Sequence, residues 1–564
     1  MTTRRLVPLV LSITLVGTAA LAGPVKTPPP AGSVVASVQV NVVNVDVLVT
    51  DRAGQPVTGL TAADFNLFED GKPMVITNFY VSEPGPRAPA VENAASIETS
   101  RPEVPLDEER VLHLVVVVDG LNLDMAGAHL ALEALAKVVE TRLRPGDDVM
   151  VTSFDRALKI DEPFTTDFRT AAARIRALKR LGAQTAVRRG AASMIRGRMG
   201  SGSGMSEDMN GVAAGNLLND IVSAAEEERS LQWCLLDSTG RLVDSLAGLP
   251  GRKVLVLVSN GMPDEVGSNL LNEYNVRYPG RVSPIDTRTR FGMTSFYSIL
   301  AARANAGRVT FYPICAQAFP GLEAYDASEL DLQADPGGAS FGAAKLQFSL
   351  LRIASATGGK MLANSGLLAS KLVETVDNVD AAYSLGYSPS HVGDGQYHRF
   401  KVEVKRDGVK LRHREGYLDK PAEERAADRT AAALLRVGRT NRFGLQAAAA
   451  PAVRTRGKVF TVPLTVTLPG STVTLLPTRK GLEGKVSVLI AARDPQGRSA
   501  EVFRKSFPIP VPEADVERLK AQSLVFTFDV LVRQGTSTLA VTARDEAGGG
   551  ESTVTLVVEA LRRT

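Results

Sequence analysis

Three hydrophobic patterns follow one another along the chain. Residues 36–84 contain segments in which apolar and polar residues alternate, as in "VNVDVLVTD", and this period of two predicts strands with one buried face. Residues 110–418 contain unbroken apolar runs, "VLHLVVVVD", "KVLVLVSNG" and "RVTFYPICA", separated by segments of helical periodicity. Buried strands that alternate with helices predict an α/β domain around a mostly parallel sheet. Residues 456–564 alternate again and predict an immunoglobulin-like β-sandwich.

The first segment, residues 36–84, is predicted to be a small N-terminal β module. Its "TGLTAADFNLFEDGKP" stretch predicts a short helical turn, a strand, a hairpin turn at "EDGK" and a second strand. Residues 85–109 are rich in Pro, Ala and Glu and are predicted to be a linker. The α/β domain is predicted to end in a hairpin formed by "DGQYHRFKVEV" and "DGVKLRHREGY". Residues 419–455 are predicted to be a helical linker.

Three long inserts interrupt the α/β domain, at residues 197–212, 262–290 and 318–345. Their sequences lack a clear hydrophobic period. Because binding residues are often found on loops held by a rigid scaffold, we expect these inserts to carry specificity.

The N-terminus has the pattern of a secretory signal peptide. "MTTRR" is followed by an apolar run and by Ala20-Leu21-Ala22, which predicts a signal peptide over residues 1–22 with cleavage after Ala22. The alternative is a membrane anchor, for which the run is short. No cysteine follows the run to accept a lipid. We therefore expect a periplasmic or secreted protein without membrane insertion after cleavage.

The charge of the chain argues against one class of partner, and its two cysteines raise the question of a disulfide. The formal net charge is only +4 over 564 residues, and no basic stripe with interleaved aromatic residues is present, so we expect no nucleic-acid partner. Cys234, in a predicted helix, and Cys315, at the end of a predicted strand, have two interpretations. They form one disulfide, as is common in exported proteins, or they are two buried thiols.

The sequence lacks the motifs of common enzymes. It contains no Gly-x-Ser-x-Gly, no His-Glu-x-x-His and no phosphate-binding loop. His391, His398 and His413 lie near the predicted terminal hairpin and could meet in space, although solvated side chains are the simpler interpretation. Trp233, the only tryptophan, is predicted to be a core residue. We expect a non-catalytic protein.

The order and spacing of several segments resemble a known family. "VVVVDGLNLD", "GDDVMVTSFD", "LGAQTA", "KVLVLVSNG" and "DAAYSLGY" resemble a von Willebrand factor type A (VWA) domain. With "VNVDVLVTDRAGQPVTGLTAADFNLFEDGKP" and "RHREGYL", residues 36–420 are similar to the VWA-related family of exported acidobacterial proteins. The resemblance implies a doubly wound sheet, whose ligands bind where the strand order reverses.

In metal-binding VWA domains, an Asp-x-Ser-x-Ser loop, a Thr and a second Asp form a metal-ion-dependent adhesion site (MIDAS). Asp119 matches the first Asp, but Leu121 and Leu123 stand where the two Ser ligands belong. Thr185 matches the Thr, and Asn260 replaces the last Asp. A hard divalent cation requires oxygen ligands, and two of them are hydrocarbon here. The resemblance therefore implies a degenerate MIDAS.

Asn122 and Asp124 supply polar groups in the same loop, but each lies one residue away from the position of a Ser ligand. We expect Asp119, Asn122, Thr185 and Asn260 to form a ligand-binding site without a metal or another cofactor. If a cation does bind, it is Mg²⁺ or Ca²⁺, held by Asp119 and Thr185.

These features favour an exported protein-interaction or scaffolding module with a protein partner. One alternative is a cation-dependent adhesin with a rearranged metal site. Another is an envelope hydrolase whose site lies in the long inserts.

Overall fold

The computed structural model describes residues 42–81, 111–316 and 341–560, apart from short gaps at 53, 124, 181–182, 201–206, 364–365, 380–382, 437–440, 479–480, 495–496 and 498. The predicted signal peptide, the linker at 85–109 and most of the insert at 318–345 lie outside the described residues. Within the described ranges, no helix has both the length and the apolar character needed to cross a bilayer. The chain forms two compact units, of which the larger comprises residues 41–92 and 104–421.

The larger unit contains fifteen strands among its described residues. Strands β1 to β4 span Val43–Asp51, Phe65–Glu69, Lys72–Met74 and Asn78–Val81. Strands β5 to β11 span Leu112–Asp119, Asp148–Phe154, Leu158–Thr165, Arg252–Ser259, Val309–Phe311, Ile314–Cys315 and Leu362–Ala363. Strands β12 to β15 span Tyr383–Tyr387, Tyr397–Val404, Val409–Arg412 and Gly416–Leu418.

Strands β5 to β11 form one mostly parallel sheet. Its order is β11-β10-β8-β5-β6-β7, with β9 also paired to β8, and only β7 runs antiparallel to its neighbour. If β9 and β10 count as one interrupted strand, this is the 3-2-1-4-5-6 order of doubly wound folds. The order reverses between β5 and β8, as the resemblance implies for a VWA-like core.

Nine helices accompany this sheet in the described part of the larger unit. Helices α1 to α9 span Met125–Arg142, Phe168–Ala177, Ala183–Gly200, Glu207–Leu246, Ser268–Arg277, Pro284–Phe291, Thr294–Gly307, Phe341–Ala356 and Leu368–Val379. Helices α1, α2 and α9 pack on one face of the sheet, against residues such as Val116 and Val256. Val115 and Leu255 point to the opposite face and are also fully buried. Burial of both faces explains the unbroken apolar runs.

The N-terminal strands do not form a module of their own. Strand β1 pairs with β12 and β14, and β2 pairs with β13, so residues 43–81 and 383–418 build one sandwich of two four-stranded sheets, ordered β14-β1-β12-β4 and β15-β13-β2-β3. Residues from both chain segments fill its core. The predicted terminal hairpin is wrong, because β13 and β14 belong to different sheets. The "EDGK" turn is present, with Asp70 and Gly71 at φ values of 48° and 80°.

The smaller unit, described over residues 422–560, is an antiparallel sandwich. Helices α10 and α11 span Ala422–Ala432 and Val516–Ala521. Strands β16 to β24 span Gln446–Ala449, Val453–Arg456, Val459–Pro469, Leu476–Thr478, Gly481–Arg493, Phe503–Val511, Ser523–Arg533, Gly535–Asp545 and Glu551–Ala560. Strands β16, β17, β18 and β22 form one sheet, and the other five strands form the second.

The sandwich begins earlier in the chain than predicted. Strands β16 and β17 pair with β18, so the predicted linker at 419–455 already contributes two strands. Alternating residues of β18 and β20, such as Val462 and Val488, face one another in the core.

Two further expectations differ from the structure. Helices α5 and α6 occupy much of the predicted insert at 262–290. Cys234 in α4 and Cys315 in β10 are not joined by a disulfide, so the thiol interpretation is the one observed. Cys315 is buried and Cys234 is half-buried.

Candidate functional site

The candidate site lies at the carboxyl edge of the parallel sheet, where the strand order reverses. Asp119 is the last residue of β5, and Ser259 is the last residue of the neighbouring strand β8. Gly261 then turns the chain with φ of 99°. A Cβ at this position would lie 2.2 Å from the carbonyl oxygen of Leu346, so only glycine allows the loop to pass so close to α8.

Asp119 is completely buried, and four protein donors bind its carboxylate. One oxygen, Oδ1, accepts hydrogen bonds from the backbone N–H groups of Leu121 and Asn122, both at 3.1 Å. The other, Oδ2, accepts from the Asn122 side chain at 2.7 Å and from the Ser259 hydroxyl at 2.6 Å. Both oxygens therefore have partners within the protein, as buried polar groups require.

Asn122 is anchored in turn by Gln232 on α4, which is also completely buried. The two amides exchange hydrogen bonds, from Gln232 Nε2 to Asn122 Oδ1 at 2.6 Å and from Asn122 Nδ2 to Gln232 Oε1 at 3.2 Å. The predicted ligand-binding residue Asn122 therefore holds the loop to a helix.

Thr185 and Arg188, one helical turn apart at the start of α3, donate hydrogen bonds to the loop that follows Asp119. The Thr185 hydroxyl donates to the carbonyl oxygens of Leu121 and Leu123, at 2.9 and 2.7 Å. Arg188 donates to Leu121 O at 2.6 Å and to Asn122 Oδ1 at 3.3 Å. Its other terminal nitrogen pairs with Glu228 of α4 at 2.6 Å. A guanidinium thus supplies positive charge beside Asp119.

These residues do not fit a divalent cation of the MIDAS type. Leu121 and Leu123 are completely buried and offer only hydrocarbon side chains. The Asp119 carboxylate is bound by protein donors, and the Arg188 guanidinium would repel a second cation. Asn260 is buried, and its Oδ1 has no hydrogen-bond partner in the described part of the chain. One neutral amide oxygen does not make an oxygen shell.

Burial governs the protonation of this site. It raises the pKa of Asp119 above the usual value, against the opposing effects of Ser259, Asn122 and Arg188. Burial also raises the pKa of Glu228, and the Arg188 charge opposes it. The pKa of Tyr297, whose hydroxyl donates to Pro263 O at 2.5 Å, is raised mainly by burial and then by Asp264. The site therefore holds negative charge at an energetic cost.

The sequence identified the loop but not the side chains that complete it. Asp119, Asn122 and Thr185 are joined by hydrogen bonds within this loop, and Asn260 makes none of them; Arg188, Gln232 and Ser259 were not singled out. Arg188 follows Thr185 by three residues and shares its helix face, which is the only local signal. Gln232 is separated from the loop by more than a hundred residues, and no local pattern marks it.

Two other predictions from the sequence were wrong. Trp233, predicted to lie in the core, is 46% exposed on α4. The three histidines of residues 391–413 are not all solvated. His398 is buried and stacks on His391, with ring centroids 3.8 Å apart, whereas His413 bonds the carbonyl of Arg414.

No family model matches the sequence, and no curated protein matches it. Among solved structures, an aerotolerance-related membrane protein from Bacteroides fragilis is 11% identical at a TM-score of 0.22, and the match covers 48% of this chain and 99% of that one. BatB from Bacteroides thetaiotaomicron is 10% identical at a TM-score of 0.21, covering 48% and 98%. Proximal thread matrix protein 1 of the mussel byssus, described with a zinc-occupied MIDAS motif, is 11% identical at a TM-score of 0.22, covering 50% of each chain. Because these TM-scores are low, the matches carry no argument, and the strand order shows a doubly wound α/β core that is consistent with a VWA-like fold.

Proposed function

We propose that this protein is an exported, non-catalytic protein-interaction module, located in the periplasm or secreted. Its VWA-like unit binds a protein partner at the carboxyl edge of the sheet without a bridging cation. The degenerate MIDAS acts as a rigid frame for that surface rather than as a metal centre.

The hydrogen bonding of Asp119 carries this proposal. In a cation-dependent adhesin, the corresponding carboxylate must be available to the ion, and an acidic group of the partner completes the metal shell. Here four protein donors bind the carboxylate, and the Arg188 guanidinium bonds the same loop. A partner must therefore recognise side chains on the surrounding surface.

Exposed apolar side chains on the flanking helices support such a surface. Val187 directly precedes Arg188 and is 65% exposed, and Trp233 directly follows Gln232 and is 46% exposed. Tryptophan and arginine are enriched among residues that dominate binding energy at protein interfaces. An exposed tryptophan beside a buried polar frame suits a preorganised contact surface.

Affinity capture tests the proposal. The mature chain is immobilised and exposed to envelope proteins of the native host, with and without millimolar Mg²⁺ and Ca²⁺. We expect a partner whose binding does not depend on these ions, and whose affinity falls about tenfold or more in Val187→Asp and in Trp233→Asp. Val453→Asp, at a residue 62% exposed in the smaller unit, is the matched control and should bind normally.

The same experiment separates the alternatives. Binding that requires Mg²⁺ or Ca²⁺ and disappears in Asp119→Ala would support the cation-dependent adhesin. Turnover of ester, peptide or glycoside substrates by the purified chain would support an envelope hydrolase. Ion-independent binding that survives both surface substitutions would place the partner elsewhere on the protein.

A further inference from the structure

A second polar cluster lies in the composite sandwich of the larger unit, apart from the residues used above. Glu69 ends β2, His398 lies in β13, and His391 lies in the segment between β12 and β13. One ligand atom from each of these three residues lies within 4.8 Å of the other two. The sandwich brings them together because β2 and β13 are hydrogen-bonded neighbours.

The carboxylates around the two rings hold them in defined orientations. His391 Nδ1 lies 2.9 Å from Asp419 Oδ2, and Asp419 is 2% exposed. His398 Nδ1 lies 2.8 Å from Asp70 Oδ2. A carboxylate bound to one ring nitrogen is the usual second partner of a metal-binding histidine, because it fixes the ring and increases the basicity of the other nitrogen.

The second nitrogen of His391 is in an unusual position. His391 Nε2 is buried and makes no hydrogen bond within the described residues, although Glu69 Oε2 lies only 3.3 Å away. The other oxygen of Glu69 accepts hydrogen bonds from the hydroxyls of Tyr387 and Tyr417. Glu69 is therefore held with Oε2 facing this nitrogen, and a proton on His391 or a metal ion supplies the positive charge that such a buried contact needs.

The separation of these two atoms matches a pair of zinc ligands. Nitrogen and oxygen ligands about 2.1 Å from a tetrahedral zinc ion lie about 3.4 Å from one another. The observed 3.3 Å between His391 Nε2 and Glu69 Oε2 is close to that value, so both atoms lie within reach of one ion after a small turn of the ring. Two imidazoles and a carboxylate favour a borderline transition metal such as zinc over Mg²⁺ or Ca²⁺, which prefer oxygen ligands.

We propose that Glu69, His391 and His398 bind one zinc-type metal ion, with the Asp394 carboxylate as the fourth ligand. Asp394 lies 3.2 Å from His398 Nε2, the ring nitrogen that Asp70 does not contact. Its side chain is 34% exposed, so an ion can reach the site from solvent. The proposal does not depend on the proposed function, because it uses none of the residues at the edge of the parallel sheet.

Metal binding requires one of the two stacked imidazole rings to rotate. The two imidazole rings are nearly parallel, at 14°, and an ion in the plane of one ring cannot lie in the plane of the other. One ring must turn out of the stack. His391 is the ring with room to turn, because its side chain is 21% exposed whereas that of His398 is 10% exposed.

The ion would cross-link distant parts of the chain. Glu69 belongs to the N-terminal strands, whereas His391 and His398 belong to the segment of chain that follows the parallel sheet. Metal binding that requires both segments in their folded positions stabilises the folded unit. The role we infer is therefore structural.

Zinc titration of the mature chain, after removal of metals with a chelator and dialysis, tests this inference. We expect calorimetry to give one zinc ion per chain, and Co²⁺ to produce the visible absorption of a tetrahedral site. His391→Ala should weaken zinc binding at least a hundredfold. Asp419→Asn should weaken it about 10- to 100-fold, the range found for lost carboxylate partners of metal-binding histidines. His413→Ala, outside the cluster, should bind zinc normally.

Circular dichroism in zinc-free buffer checks that each variant folds. If His391→Ala does not fold, Asp394→Asn replaces a more exposed side chain and should weaken binding about tenfold. The inference is overturned if the wild-type chain takes up no zinc stoichiometrically. It is also overturned if all folded variants of the cluster bind zinc as tightly as His413→Ala.

Discussion

Replacing Asp119 by alanine tests whether its carboxylate is a structural hydrogen-bond acceptor or a metal ligand. The substitution removes the acceptor of four donors. The Ser259 hydroxyl can rotate towards another acceptor, and the Asn122 side chain keeps its hydrogen bond to Gln232 Oε1. The N–H groups of Leu121 and Asn122 have no such replacement. At about 1 to 3 kcal/mol for each buried unsatisfied donor, their loss destabilises the unit by about 2 to 6 kcal/mol.

The single tryptophan makes this loss measurable in the relevant unit. Trp233 lies in α4 of the larger unit, and the smaller unit has no tryptophan, so its fluorescence reports the unfolding of the larger unit. For a unit of this size, about 2 °C per kcal/mol predicts that Asp119→Ala lowers the melting temperature by about 4 to 12 °C. Asp167→Ala, which removes the exposed N-cap of α2, should have a smaller effect.

The ion dependence of the same melts decides between the two roles. Without a cation site, millimolar Mg²⁺ or Ca²⁺ should leave the melting temperature of wild type and Asp119→Ala unchanged. An ion at 100 times its dissociation constant would stabilise the protein by about 2.7 kcal/mol. A wild-type shift of that size, absent from Asp119→Ala, would refute the argument that protein donors and Arg188 have replaced the ion.

Three further predictions concern the same loop and the N-terminus. Leu121→Ser, one step towards a complete MIDAS, should lower the free energy of unfolding in guanidinium by about 2 to 5 kcal/mol, because the leucine is fully buried. Leu130→Ser, at a residue 64% exposed, is the control and should leave that free energy almost unchanged. Because burial raises the pKa of Asp119, the free energy of unfolding of wild type should fall as pH rises from about 4 through that pKa. Asp119→Asn should lack this decrease, and parallel pH profiles of the two proteins would contradict the prediction. N-terminal sequencing of protein from the native host should begin near Gly23, and an intact Met1 terminus would contradict export by cleavage.

The sequence predicted features whose causes are local. Asp70-Gly71 between two alternating segments predicts a two-residue turn, since both positions require positive φ, and that turn is present. The buried runs ending at Asp119 and Ser259 became parallel strands covered on both faces, as continuous apolar segments between helices predict. These conclusions needed only the residues within each segment.

The partners of the N-terminal strands could not be predicted in the same way. Alternation identifies the buried face of a strand but not the strand beside it. Strand β2 pairs with β13, more than three hundred residues later, with Leu67 opposite Val402. A prediction based on neighbouring segments therefore assigned residues 36–84 to a separate module. It also left Glu69 far from the histidines that it contacts.

The exposure of Trp233 shows a related limit within one helix. Gln232 is completely buried and the adjacent Trp233 is 46% exposed, which reverses the usual preference of the two residue types. The rotation of α4 is set by the polar loop, because Gln232 must reach Asn122. Residue type alone cannot reveal such a constraint.

Two buried carboxylates of the same unit lead to opposite conclusions about metal binding. The family resemblance draws attention to Asp119, yet both of its oxygens are bound by protein donors, and a guanidinium lies beside the loop. Glu69 has donors on one oxygen only, and its other oxygen faces a buried nitrogen without a hydrogen bond. Since a buried charge must be compensated, we expect no cation at the first site, whereas the second needs a positive charge, which a proton or a metal ion can supply. A second imidazole, that of His398, has a ligand atom within 4.8 Å of both groups, and two imidazoles with one carboxylate form a ligand set that favours the metal ion.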